Sequence, residues 1–173
     1  MIPLPRSARP RLSLRAPHGA SHAAIVVASY SAFFLLYFSP ALIGHRLLAP
    51  ADGLQQSLPA FFSPRALWNF YLFSGYPAIA DPQTFECYPL AFFFSSIFHS
   101  FNAFLITAYV LASSFTYGLV HRLTCSRFAA ALSGIIFGTS GFLIAHLGHT
   151  NVVHAAAWLP LLVWSVEELR IRR

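Results

Sequence analysis

The chain has 173 residues, 57% of them hydrophobic and 9% charged, with a mean hydropathy of +0.61. A soluble domain carries about 25% charged residues, so a water-facing globule is excluded and lipid is the expected solvent. The formal net charge is +6 and every basic residue is arginine. The arginines stand at the ends of apolar runs, which marks membrane topology rather than a nucleic-acid-binding face.

Residues 1–21 hold Arg6, Arg9, Arg11 and Arg15 among Pro and Ser with no acid, and read as a disordered basic cytoplasmic tail. Ala23 to Ile43 is 21 residues without a charge. That is longer than the apolar core of a cleaved signal peptide, and at about 1.5 Å per residue it matches the hydrocarbon thickness. It is expected to be a retained first span. From Gly44 to Tyr88 the character changes: Asp52, Asp81 and Glu86 are three of the chain's five acids, and Pro50, Pro59, Pro64, Pro77 and Pro82 interrupt the run. Irregular backbone in hydrocarbon would leave its polar groups unsatisfied. Residues 44–101 are therefore expected as a long outer loop with short interfacial helices, placing Leu58, Phe61, Phe62, Leu67, Trp68 and Tyr71 at headgroup depth.

Tyr88 to Val120 lacks Asp, Glu, Lys and Arg for 33 residues, too long for one straight crossing. The polar cluster His99-Ser100-Phe101-Asn102 divides it into an interfacial or re-entrant piece near 89–98 and a second span near 102–120. A short basic loop runs to Arg127, and a third span covers 128–145, where Gly134-x-x-x-Gly138 permits close helix approach. The turn His146-Leu-Gly-His149-Thr-Asn151 leads to a fourth span near 152–167, which contains Pro160. The expected fold is thus an all-α integral membrane protein, a membrane domain over 22–173 with about four transmembrane helices. With the N-terminus inside, nine arginines lie on the cytoplasmic side and only Arg46 and Arg65 outside, so both termini are expected to be cytoplasmic. Cys87 and Cys125 then fall on opposite sides and cannot pair.

Three polar groups converge on the outer face: the segment around Asp52, Gln55 and Gln56; the run from Trp68-Asn69 to Asp81-Pro82-Gln83; and the His146, His149, Asn151 turn. An acid at a membrane surface suits a general base toward a hydroxyl, or a metal ligand. Each also has a structural reading. Asp52 before Gly53 suits a turn or helix cap, Asp81-Pro82 starts a turn, and Gly75 supplies a positive φ. His146 and His149 share a helix face without a third ligand, which favours hydrogen bonding over a metal pair. His154 reads as a packed or lumen-facing histidine.

The strings Asp52-Gly-Leu-Gln55-Gln56-x-x-Pro59, Trp68-Asn69-x-Tyr71-Leu-Phe-Ser-Gly75-Tyr-Pro77, Ala80-Asp81-Pro82-Gln83 and Tyr88-Pro89-Leu90 resemble the first outer loop of YfhO-type bacterial membrane proteins. Ser140-Gly141 through His146-Leu-Gly-His149-x-Asn151 and Ala157-Trp158-Leu-Pro160-Leu are similar to the same family's third and fourth spans. The family is similar to the GT-C membrane glycosyltransferases. The resemblance implies a module in the bacterial cytoplasmic membrane that transfers a sugar, with inversion, from a polyprenyl-phosphate carrier to a cell-envelope acceptor on the outer face. It implies Asp52 as catalytic acid-base residue and Asp81 as a second acid. Gln55, Trp68, Asn69, Gln83, His146, His149 and Asn151 then become substrate-binding candidates, Arg46 and Arg65 phosphate candidates, and a divalent metal a possible cofactor. Two departures stand out. Ala51 replaces the family's more frequent Gly before the loop Asp, and family members are several times longer. The chain is therefore expected to be an N-terminal fragment, a split gene product or a truncated frame, needing a second chain or a missing C-terminal part. The alternative is a non-catalytic membrane protein, a carrier-lipid flippase component or assembly partner, in which the loop acids only form turns.

Overall fold

The computed structural model describes residues 19–71 and 73–172. The basic tail read at the N-terminus lies, up to residue 18, outside the described residues, as does Arg173. The described chain is all-helical, and three of its helical stretches, Phe101–Thr124, Arg127–Ala145 and Thr150–Ile171, are long and apolar enough to cross a membrane. This is the pattern of a multi-pass membrane protein.

The first apolar run forms α1 (Gly19–Tyr37), and a separate short turn of helix, α2 (Ser39–Ile43), follows instead of one continuous rod. Pro40 sits in the first turn of α2, where its missing N–H costs nothing. The outer segment then makes a wide helical turn at Gly53–Ser57 that runs into α3 (Leu58–Phe62). Beyond it, Asn69 and Tyr76 exchange backbone hydrogen bonds of 2.8 and 2.9 Å as an isolated antiparallel bridge. α4 (Pro89–Phe93) and a second wide turn (Phe94–Phe98) occupy the stretch read as interfacial.

His99 takes a left-handed conformation and Ser100 caps α5 (Phe101–Thr124), its side chain accepting from the Ala103 N–H at 3.2 Å. The polar cluster thus ends one helix and starts the next. α5 is the central rod. α1 meets it through Phe34, and Phe38 just beyond α1 adds a second contact; their rings lie 5.6 and 5.2 Å from that of Tyr109. α6 (Arg127–Gly138) and α7 (Gly141–Ala145) return antiparallel to α5, and Tyr109 Oη donates to the Leu143 carbonyl at 3.0 Å. α8 (Thr150–Ala157) and α9 (Leu159–Arg172) run back again, divided at Trp158 because Pro160 has no N–H for the Ala156 carbonyl.

Gly134 and Gly138 face inward. A Cβ at Gly134 would stand 2.1 Å from Tyr30 Oη, and one at Gly138 would stand 2.2 Å from Ser113 Oγ. The small-residue pair therefore seats α6 against α1 and α5 within the chain. The outer segment has a core of its own on the N-terminal end of α5, built from Ala49, Phe61, Phe85, Ala91, Phe101 and Phe104. Phe61, expected at headgroup depth, is buried there against Phe104 and Phe101. Trp68, Tyr71 and Phe62 remain exposed. The Asn102 side-chain amide ties the stretch after α2 to α5, donating to the Arg46 carbonyl and accepting from the Leu48 N–H, each at 2.9 Å.

Candidate functional site

The end of the bundle that carries residues 44–100 also carries the 146–149 turn, because α6–α7 and α8–α9 reverse there. Two glycines bring these segments into contact. Gly148 packs against the Pro50 carbonyl so closely that a Cβ would lie 2.5 Å from that oxygen, and a Cβ at Gly53 would lie 3.1 Å from the Gly148 carbonyl. Across this contact Asp52 Oδ2 stands 3.4 Å from His149 Nε2, with both side chains about half exposed. The chain bends into this position through Ala51, whose φ of 47° is left-handed. Asp52 itself is helical, at the entry to the Gly53–Ser57 turn, and its side chain makes no capping hydrogen bond. Its carboxylate is thus turned toward the imidazole rather than toward its own backbone.

His146 follows another course. Its Nδ1 lies 2.8 Å from the Phe142 carbonyl, and its ring is 5.7 Å from that of His149. Among the described residues no group of three or more His, Cys, Asp or Glu side chains is placed to hold a metal ion.

Asp81 is built into its turn. Its Oδ1 accepts from the Gln83 N–H at 2.9 Å and its Oδ2 from Tyr76 Oη at 3.2 Å. Desolvation first, and then this hydrogen bond to a carboxylate, raise the Tyr76 phenol above its ordinary range. Arg65 directs its guanidinium at the carbonyls of Thr84 and Phe85, at 3.2 and 2.9 Å, and at Ser95 Oγ at 3.4 Å. Arg46 is exposed, six positions before Asp52. Gln55 and Gln56 are exposed on the wide turn after Asp52. Asn69 Oδ1 accepts from the Tyr71 N–H at 2.9 Å, and the indole of Trp68 rests against Gly75, whose φ of +100° a side chain would strain.

Asp81 and Asn151 come together in a cavity of about 310 Å³ between the outer segment and α8. Glu86, Tyr88, His154 and Trp158 complete its polar lining. Trp158 Nε1 can only donate, so its 3.0 Å bond to Tyr88 Oη leaves the phenol hydrogen for His154 Nδ1, 3.1 Å away. Burial is the larger influence on the Tyr88 phenol and raises its pKa, which keeps that hydrogen in place. His154 is 3% exposed and stacks on Phe104 with ring centroids 4.0 Å apart. Glu86, Tyr88 and Trp158 were not among the sequence-level candidates. Tyr88 and Trp158 had a signal in Tyr88-Pro89 and Ala157-Trp158, whereas Glu86 stands outside every motif and is marked only as one of the outer segment's three acids.

Comparison with protein-family models, with curated proteins and with solved structures finds no match for this chain.

Proposed function

We propose that the chain is a membrane module of a polyprenyl-phosphate-sugar-dependent glycosyltransferase, with α1 as a fourth span and both termini cytoplasmic. The sugar is transferred to a cell-envelope acceptor at the outer face of the bacterial cytoplasmic membrane. The observation that supports this reading is the meeting of Asp52 with His149 at 3.4 Å, at the loop-bearing end of the bundle. A carboxylate held beside an imidazole and open to solvent is arranged as a general base.

In this mechanism Asp52 accepts the proton of the acceptor hydroxyl as its oxygen attacks the anomeric carbon. The bond from that carbon to the carrier phosphate breaks, the electron pair leaves with the phosphate, and the configuration inverts. His149, when it carries a proton on Nε2, holds the carboxylate in place. Charge develops on the departing phosphate, where an arginine is most effective. Arg46 is exposed on the same segment, and Arg65 is fixed by its carbonyl contacts.

The decisive experiment uses native membranes, which hold the chain together with any further part the module needs, supplied with polyprenyl-phosphate sugars carrying a radiolabel. Wild-type membranes should label an envelope acceptor. Asp52→Asn should reduce labelling at least about a hundredfold, the scale of a lost general base, with unchanged membrane insertion. Full transfer by Asp52→Asn would remove the residue from the chemistry, and no transfer by wild type would overturn the reading. One observation favours the non-catalytic alternative: both Asp81 oxygens serve the turn. That alternative predicts the second outcome.

A further inference from the structure

The cavity beside α8 is chemically distinct from the Asp52–His149 pair. It carries two carboxylates, Asp81 and Glu86, together with the Asn151 amide, and among the described residues lining it there is no arginine. A phosphate entering it would meet like charge with nothing to neutralise it, which costs rather than gains free energy. Asp81 accepts one hydrogen bond on each oxygen, and Glu86 Oε2 accepts one from the Ala66 N–H at 3.2 Å. A carboxylate has about four acceptor sites, so both groups retain acceptor capacity. Tyr88, Phe85 and Trp158 supply aromatic walls. These walls are held still, since the Trp158–Tyr88–His154 hydrogen-bond chain fixes the two rings and Phe104 stacks under the imidazole. Fixed apolar walls with a few convergent acceptors are the general form of a small-molecule site. The volume of about 310 Å³ sits at the lower end for such sites, which suits one ring rather than a lipid-linked headgroup.

We infer that this cavity binds a neutral polyhydroxylated ring, a single sugar unit, with its hydroxyls donating to Asp81 and Glu86 and its apolar face against the aromatic wall. The inference rests on the glycosyltransferase reading for its biological sense, and it separates the sugar pocket from the phosphate position. The phosphate belongs outside the acidic cavity, toward the arginines of the outer segment.

Cys87 lines the cavity and is a free, exposed thiol, while Cys125 is a free thiol at the opposite end of α5. Alkylation of Cys87, followed by peptide mass spectrometry with Cys125 as internal reference, reports occupancy in the native full chain. Methyl glucoside, methyl galactoside, methyl mannoside and N-acetylglucosamine are the probes, each at millimolar concentration. At least one should slow Cys87 modification several-fold without changing Cys125, and inorganic phosphate should not. With protection taken relative to each variant's own unprotected Cys87 rate, Glu86→Gln should raise the sugar concentration needed for protection about tenfold. Protection by none of the sugars overturns the inference, as does equal protection by phosphate or tetramethylammonium. Asp52→Asn separates the two proposals: it should lose transfer while retaining sugar protection of Cys87. Transfer without protection would remove the cavity alone, and protection without transfer would remove the enzyme reading alone.

Discussion

Ala51 holds a left-handed backbone at φ 47°, a conformation that costs an L-residue about 1–2 kcal/mol, immediately before Asp52. Strain of this kind beside a polar group persists when the surroundings over-determine it, and here the Pro50–Gly148 contact does so. Ala51→Gly should raise stability by about 1 kcal/mol, after the entropy cost of glycine, measured by thermal unfolding in detergent. Gly148→Ala should cost about 1–3 kcal/mol, because its Cβ would lie 2.5 Å from the Pro50 carbonyl. It should also move Asp52 away from His149, reducing transfer more than it reduces stability. The Tyr76 phenol is raised in the folded chain by desolvation and then by Asp81. The neutral form is therefore the stabilised one: its contribution is complete below the unfolded tyrosine value near pH 10 and is lost as pH rises through the folded value. Tyrosinate absorbance, taken as the difference between wild type and Tyr76→Phe, should show the midpoint falling in Asp81→Asn. At this scale the sequence named Asp52 and His149 separately but not as partners. Their meeting depends on two glycines in close backbone contact, and no spacing rule joins positions on different segments. The fixed status of Asp81 was legible, because Asp-Pro announces a turn.

At the scale of elements, the divisions that carry local chemistry were readable. Ser100 caps α5 where the polar cluster stands, and Pro160 divides α8 from α9. The break between α6 and α7 was not readable, since Gly138-Thr139-Ser140-Gly141 contains no proline and apolar residues flank it on both sides. The role of Gly134 and Gly138 was legible only as close approach; which helix approaches is decided by Tyr30 and Phe34 on α1 and Ser113 on α5. Gly134→Ala and Gly138→Ala should each destabilise by about 1–3 kcal/mol through overpacking. Gly141 has nothing within 4 Å of an added Cβ. Gly141→Ala should therefore leave the melting temperature unchanged or slightly raised, and a loss there matching the other two would refute inward seating of the glycine pair.

For the whole molecule, the three long apolar helices and the all-helical character follow from composition and run length, which is why the sequence alone announces them. The polar assembly at one end was only partly visible, because it arises from the alternating direction of the rods. In the proposed topology Cys87 is outside and Cys125 inside. A membrane-impermeant maleimide applied to intact cells lacking an outer membrane barrier should label Cys87 and reach Cys125 only after permeabilisation. The opposite order would invert the orientation. The central position of α5 also has a consequence in time. Phe34 of α1, and Phe38 just beyond it, first meet a ring of the bundle in Tyr109, roughly seventy residues further along the chain. At about 5–20 residues per second of synthesis, α5 follows α1 by seconds, and the aromatic face stays uncovered for that interval. The order of translation thus makes α5 the element on which the earlier segments gather into a bundle.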